Sequence, residues 1–262
     1  MGSQANSDLL KAESGISTCN NFSKCSGSSE CSLSLSSVEP GDERRGSRDP
    51  RVLIVTEAPD RESSEGSAYS GGISNRLVSM FCDEKYGIGL SQRDEDSFPE
   101  FLTRNRFYAT SAIKCHFEGS SSNVGDYVIS QCRNRYLENQ IEALEDLELM
   151  IPMGNVAAAS VTRRSVSSVK ITSRIGSHGR GIFPNYSRYD IPVVLLPHPS
   201  GNNLYANPPV IDPSGKPEHW AYKVRFRQAL VFIRETLQEL GYDVFKKSPS
   251  SWDSPPGLSG FS

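Results

Sequence analysis

Glu57 and His198 each stand directly after an apolar run. VLIVT, residues 52–56, ends at Glu57, and IPVVLLP, residues 191–197, ends at His198. Unbroken branched aliphatics belong to strands buried on both faces, so each polar residue marks the point where a strand emerges. A carboxylate there can position a water or balance positive charge, and an imidazole can donate a hydrogen bond. The ordinary alternatives are a solvated loop acid and a structural histidine. The setting of His198 favours binding. Pro197 and Pro199 fix its loop, while Ser200, Gly201, Asn202 and Asn203 offer polar groups and tolerate unusual backbone angles.

Three further groups of residues carry chemistry. Tyr69, among Gly66, Gly71 and Gly72, is an aromatic on a loop, either a ligand platform or a lid packed on the core. Cys19, Cys25 and Cys31 lie in a Ser-rich stretch with no other use for them, and Cys115 and Cys132 lie in predicted core elements. Buried cysteines commonly serve as small hydrophobes. Four thiolates drawn from the two places could instead bind zinc or an iron–sulfur cluster, although no tight CxxC is present. Residues 161–181 carry Arg163, Arg164, Lys170, Arg174 and Arg180 with no acid among them. Charge runs are usually solvated surface, but an acid-free run interleaved with Ser and Gly suits phosphate contact. Lys223, Arg225 and Arg227 extend it.

The elements that position these residues follow from periodicity. Strands are expected at RVLIVTEAP, RFYATSAIKC, ELMIPMG and IPVVLLP. Helices are expected at ISNRLVSMF, at GDYVISQCRNRYLENQIEALEDL (Val128, Cys132, Tyr136 and Ile141 inward), at NVAAASV, and at PEHWAYKVRFRQALVFIRETLQEL (Trp220, Val224, Ala229 and Ile233 inward). Four apolar strands alternating with helices predict a three-layer α/β/α sandwich around a four-stranded, mainly parallel sheet. Ligands of such sheets bind at the carboxyl ends of the strands, where Glu57 and His198 stand. Residues 1–50 read as a Ser-rich, largely flexible segment, 51–242 as the domain, 83–105 as a charged insertion, and 243–262 as a flexible tail.

Hydrophobic residues make up 36% of the 262, low enough to agree with tails outside the core. The formal charge of −3 argues against non-specific coating of nucleic acid but allows a local basic groove. Neither a membrane span nor a secretory leader is evident, so a soluble, intracellular monomer with reduced cysteines is expected.

Taken together, the segments resemble the uracil-DNA glycosylase superfamily, most closely its iron–sulfur (family 4) branch. The family's Gly-Glu-Ala/Gly-Pro-Gly is similar to Thr56-Glu57-Ala58-Pro59-Asp60. Its Gly-x-Pro-Phe-x-Gly is similar to residues 66–71, with Tyr69 for phenylalanine. Its Thr-Asn-Val-Val-Lys-Cys becomes residues 110–115, with Ser111 for asparagine, and Cys132 matches a further cysteine. Its Leu-Gly-x-x-Ala turn corresponds to residues 153–157, and its His-Pro-Ser/Ala motif to His198-Pro199-Ser200. The resemblance spans about residues 50–242. Thr56 and Asp60 replace both glycines of the first motif, and the N-terminal CxxC pair is absent.

That resemblance implies a DNA glycosylase of base excision repair, hydrolysing the N-glycosidic bond of uracil or another deaminated base flipped out of DNA. It implies catalytic roles for Glu57 and His198, with Asp60 second to Glu57, and a base pocket of Tyr69, Ser111 and Ala58. DNA contacts are expected from Arg163, Arg164, Lys170, Arg174, Arg180, Ser200, Asn202, Asn203 and Leu204. A 4Fe–4S cluster on Cys25, Cys31, Cys115 and Cys132 is expected as cofactor. The replacements at Thr56, Asp60 and Ser111 raise a second reading, a non-catalytic nucleic-acid-binding protein of the same fold.

Overall fold

The computed structural model describes residues 9–13, 16, 28–31, 46–47, 49–59, 77–78, 80–82, 88–90, 97–117, 124–166, 191–196, 198 and 229–244. At its centre is strand β2 (Val52–Thr56), all five residues of which are buried. It lies between β3 (Phe107–Ser111) and β5 (Leu149–Pro152), and both pairings are parallel. The register sets Thr56 beside Ser111 and Val55 beside Pro152, so the three strands end together at one carboxyl edge. A separate antiparallel pair joins β1 (Ser28–Cys31) to β4 (Cys115–Phe117).

Among the described residues the parallel sheet has three strands, not the expected four. Residues 191–196 do run parallel to β5, but through isolated bridges at Met150↔Val193 and Met153↔Leu196. Met150 N donates to Pro192 O at 2.9 Å, Val194 N to Met150 O at 2.9 Å, and Leu196 N to Pro152 O at 3.0 Å. The next donor along β5 is residue 152, and a proline has no N–H to give to Val194. Pro152 thus divides the fourth pairing in two without moving the segment away from the sheet.

Helices cover the sheet. The segment α1 (Phe98–Arg104) starts at a capping box in which Ser97 and Glu100 satisfy each other's backbone N–H groups. Its buried Phe98, Phe101 and Leu102 face the core, and the Phe101 ring meets Phe81 and Phe107 at 5.8 Å each. The charged stretch 83–105 therefore contains a core helix, hidden in composition by the acids around it. Next, α2 (Asp126–Cys132) continues through a π turn (Arg133–Leu137) into α3 (Glu138–Glu142), burying the expected Val128, Cys132, Tyr136 and Ile141. After β5 comes α4 (Asn155–Thr162), almost wholly buried beyond its first residue. The closing helix, α5 (residues 229–239), turns Ala229, Leu230, Ile233 and Leu237 inward; Trp220 and Val224 lie outside the described residues.

The amino edge of the sheet is stapled shut. Arg51 lies 5.1 Å from the Tyr242 ring centroid, donates to Leu240 O at 2.7 Å and bonds Glu148 at 2.7 Å. The packed chain also reaches beyond the expected boundaries. Gly46 bridges Tyr108, Val244 bridges Leu90, and Leu9, Ala12 and Ile16 are buried near the N-terminus. That leaves the carboxyl edge for a site.

Candidate active site at the carboxyl edge

Glu57 leaves β2 half-buried and is held from two sides. Its carbonyl accepts from Ile113 N at 3.0 Å, just after Ala112 N binds Thr56 O at 2.8 Å. Its carboxylate Oε1 accepts from Val156 N, in the first turn of α4, at 3.2 Å. The positive end of a helix dipole suits a carboxylate. The approach depends on Gly154, whose φ of +92° disfavours any side chain. A β-carbon at Gly154 would lie 2.8 Å from Glu57 Cγ and closer still to the carboxylate oxygen.

Gly154 also reaches the other half of the edge. Its N–H donates to Leu196 O at 2.8 Å, two residues before the half-buried His198. The Glu57 side chain and the segment leading to His198 therefore converge on one glycine. Ala58 packs half-buried against the core.

Ser111 ends β3 and is 2% exposed. Its hydroxyl lies 3.0 Å from that of Thr56, which is also 3.3 Å from Thr110 O. Two of the residues that depart from the family motifs are thus bonded to each other. Behind them Lys114, 1% exposed, donates to Thr110 Oγ1 at 2.7 Å and to Ser111 O and Gln140 Oε1 at 2.6 Å each. Sequence reasoning assigned no site role to Gly154, Lys114 or Gln140. Only the glycine between an apolar run and a helix start was a readable signal.

The basic strip begins at the end of α4. Arg163 caps α4 in the left-handed region and pairs with Glu138 Oε1 at 2.6 Å, its side chain 45% exposed. Arg164 is exposed. Val166 N then donates to Asp126 Oδ1 at 3.1 Å, at the start of α2. The chain past Arg164 is thus tethered to the start of α2.

Cys115 and Cys132 are buried, and β1–β4 register sets the backbone of Cys31 opposite Cys115. Among the described residues no group of three or more His, Cys, Asp or Glu side chains is assembled for a metal ion. Cys25, Asp60, Tyr69, Lys170, Arg174, Arg180, Ser200, Asn202, Asn203 and Leu204 lie outside the described residues.

A carboxylate and the strand that leads to an imidazole stand at one carboxyl edge of a parallel sheet, and one family model matches the chain. The model of the uracil DNA glycosylase superfamily matches residues 43–220, more than half of the chain. The chain belongs to that superfamily. The match begins just before Gly46, which bridges Tyr108 at the sheet of this glycosylase-superfamily member. No curated protein matches the chain. Among the described residues no helix of this superfamily member is long and apolar enough to cross a membrane.

Proposed function

We propose that this superfamily member is a DNA glycosylase that hydrolyses the N-glycosidic bond of uracil or another deaminated base turned out of DNA. The observation that carries the reading is the convergence of Glu57, the start of α4 and the strand leading to His198 on Gly154. In the proposed reaction the C1′–N bond breaks and its electron pair leaves with the base. Water oxygen then bonds to C1′, and a water proton is released. Glu57 positions that water or balances the sugar's positive charge, with Asp60 second in that role, while His198 donates to the base carbonyl as negative charge develops there. Tyr69 stacks on the extruded base, Ala58 and Ser111 line its pocket, and Leu204 fills the space it vacates. Arg164, Lys170, Arg174 and Arg180, with Ser200, Asn202 and Asn203, contact the backbone; Arg163 does so only by sharing its charge with Glu138.

The reading extends to the iron–sulfur branch of the superfamily. Cys25, Cys31, Cys115 and Cys132 would hold a 4Fe–4S cluster, which supplies a cross-link between the N-terminal segment and the domain. The Cys31–Cys115 register and the burial of Cys115 and Cys132 support that donor set. Protein purified without oxygen should be brown and contain iron; colourless, iron-free protein removes the cluster.

A second reading, a nucleic-acid binder without catalysis, draws support from the Thr56–Ser111 bond, which occupies the hydroxyl at a base-reading position. Incubation with uracil- and hypoxanthine-containing oligonucleotides followed by alkali separates the two. Strand scission supports the glycosylase, and a mobility shift without scission supports the binder.

A further inference from the structure

A buried chain of hydrogen bonds connects the N-terminal turn to the strand end that carries Ser111. Leu9, Ala12, Glu13 and Ile16 have the spacing of one helix face, and all four are buried, Glu13 at 6% exposure. A carboxylate on an inward face is costly unless it is bonded. Tyr108, 2% exposed in β3, donates its hydroxyl to Glu13 Oε1. Gln140 Nε2 donates to that same hydroxyl oxygen at 3.4 Å, and Lys114 Nζ donates to Gln140 Oε1 at 2.6 Å.

The direction of the chain is set by its ends. An ammonium only donates and an ionised carboxylate only accepts, so the amide and the phenol between them are fixed head to tail. Each bond then polarises the next. The cation end also grips Ser111 O at 2.6 Å, immediately before the turn whose Ala112 and Ile113 amides bind the carbonyls of Thr56 and Glu57.

We propose that Glu13 is a positioning residue for the candidate site. Its charge, relayed through Tyr108 and Gln140, orients Lys114 and thereby holds the end of β3 and the turn that pins Glu57. The N-terminal turn is then a working part of the domain. Glu13 acts on the geometry of the edge, whether or not the site removes a base from DNA.

Amide hydrogen exchange on the full chain, without DNA, tests it. Ala112 and Ile113 report the turn, and Leu53 and Ile54 report the sheet centre. Glu13→Gln keeps the side chain's shape and removes its charge, and Tyr108→Phe removes the middle link. Each should speed exchange at Ala112 and Ile113 by roughly tenfold to a hundredfold, the size of a lost hydrogen bond to a charged group, while Leu53 and Ile54 keep their rates. The double variant should exchange no faster than either single one, because both break the same chain. Unchanged turn amides in both single variants would overturn the proposal. So would full additivity in the double variant, or equal acceleration at all four amides.

Discussion

Gly154 lies under the side chain of Glu57 so closely that no β-carbon fits between them, and the helix that starts there donates Val156 N–H to the carboxylate. Glycine at 154 is thus a condition for the position of Glu57, set by a contact 97 residues away along the chain in sequence.

Gly154→Ala should therefore act on stability and chemistry together. A side chain at positive φ is strained by about 1–3 kcal/mol, and the new methyl displaces the carboxylate. Urea unfolding should show the loss, and single-turnover base release should slow more than DNA affinity weakens. Native stability with native rates would mean that Glu57 has no need of this seat.

Glu57→Gln should separate charge from placement. The amide oxygen can still accept from Val156 N–H, so thermal stability should stay within about 1 kcal/mol of native, as expected when a neutral acceptor replaces a charged one. Base release should slow markedly. A variant that releases base as fast as the native protein would assign the carboxylate's role to another group.

The Thr56–Ser111 bond changes how specificity is to be tested. An asparagine at 111 would offer a fixed donor–acceptor pair to uracil, but here it must enter space shared with the Thr56 hydroxyl. Ser111→Asn alone should therefore gain little. Thr56→Gly with Ser111→Asn should raise the preference for uracil over hypoxanthine, at a stability cost of about 0.5–1 kcal/mol for glycine in a strand. Release of each base from matched oligonucleotides measures it. Equal effects of the single and double changes would show that the hydroxyl pair does not govern base choice.

The two arginines that open the basic strip can be tested one at a time. Arg164→Ala should reduce the slope of log affinity against log salt by about one, as for a lost phosphate contact. Arg163→Ala removes a half-exposed ion pair with Glu138, worth about 0.2–1 kcal/mol of stability at most, and should change the slope less. Equal slopes for both variants would place Arg163 on DNA as well.

The carboxyl edge was legible in the sequence because apolar runs end abruptly at Glu57 and His198, and strand ends are local features. The inward face of α2 and α3 was legible for the same reason. Pro152 was not read as a break in pairing, since its effect depends on which neighbour each N–H of β5 faces. The capping box at Ser97 was present but was masked by surrounding acids. Glu13 belongs to an inward stripe with Leu9, Ala12 and Ile16, yet a Ser- and Gly-rich composition argued for flexibility. Gly154 could be seen as a turn, but its contact with Glu57 exists only once β2 and β5 lie side by side.

The most direct test of the account is single-turnover base release by His198→Ala set beside its DNA affinity. An oligonucleotide with one uracil or hypoxanthine is treated with alkali to reveal each abasic site. Because the donor's bond strengthens as the base departs, the rate should fall about 100- to 1000-fold while affinity changes far less. A variant as fast as the native protein, or native protein that binds the oligonucleotide but releases no base, would contradict the account.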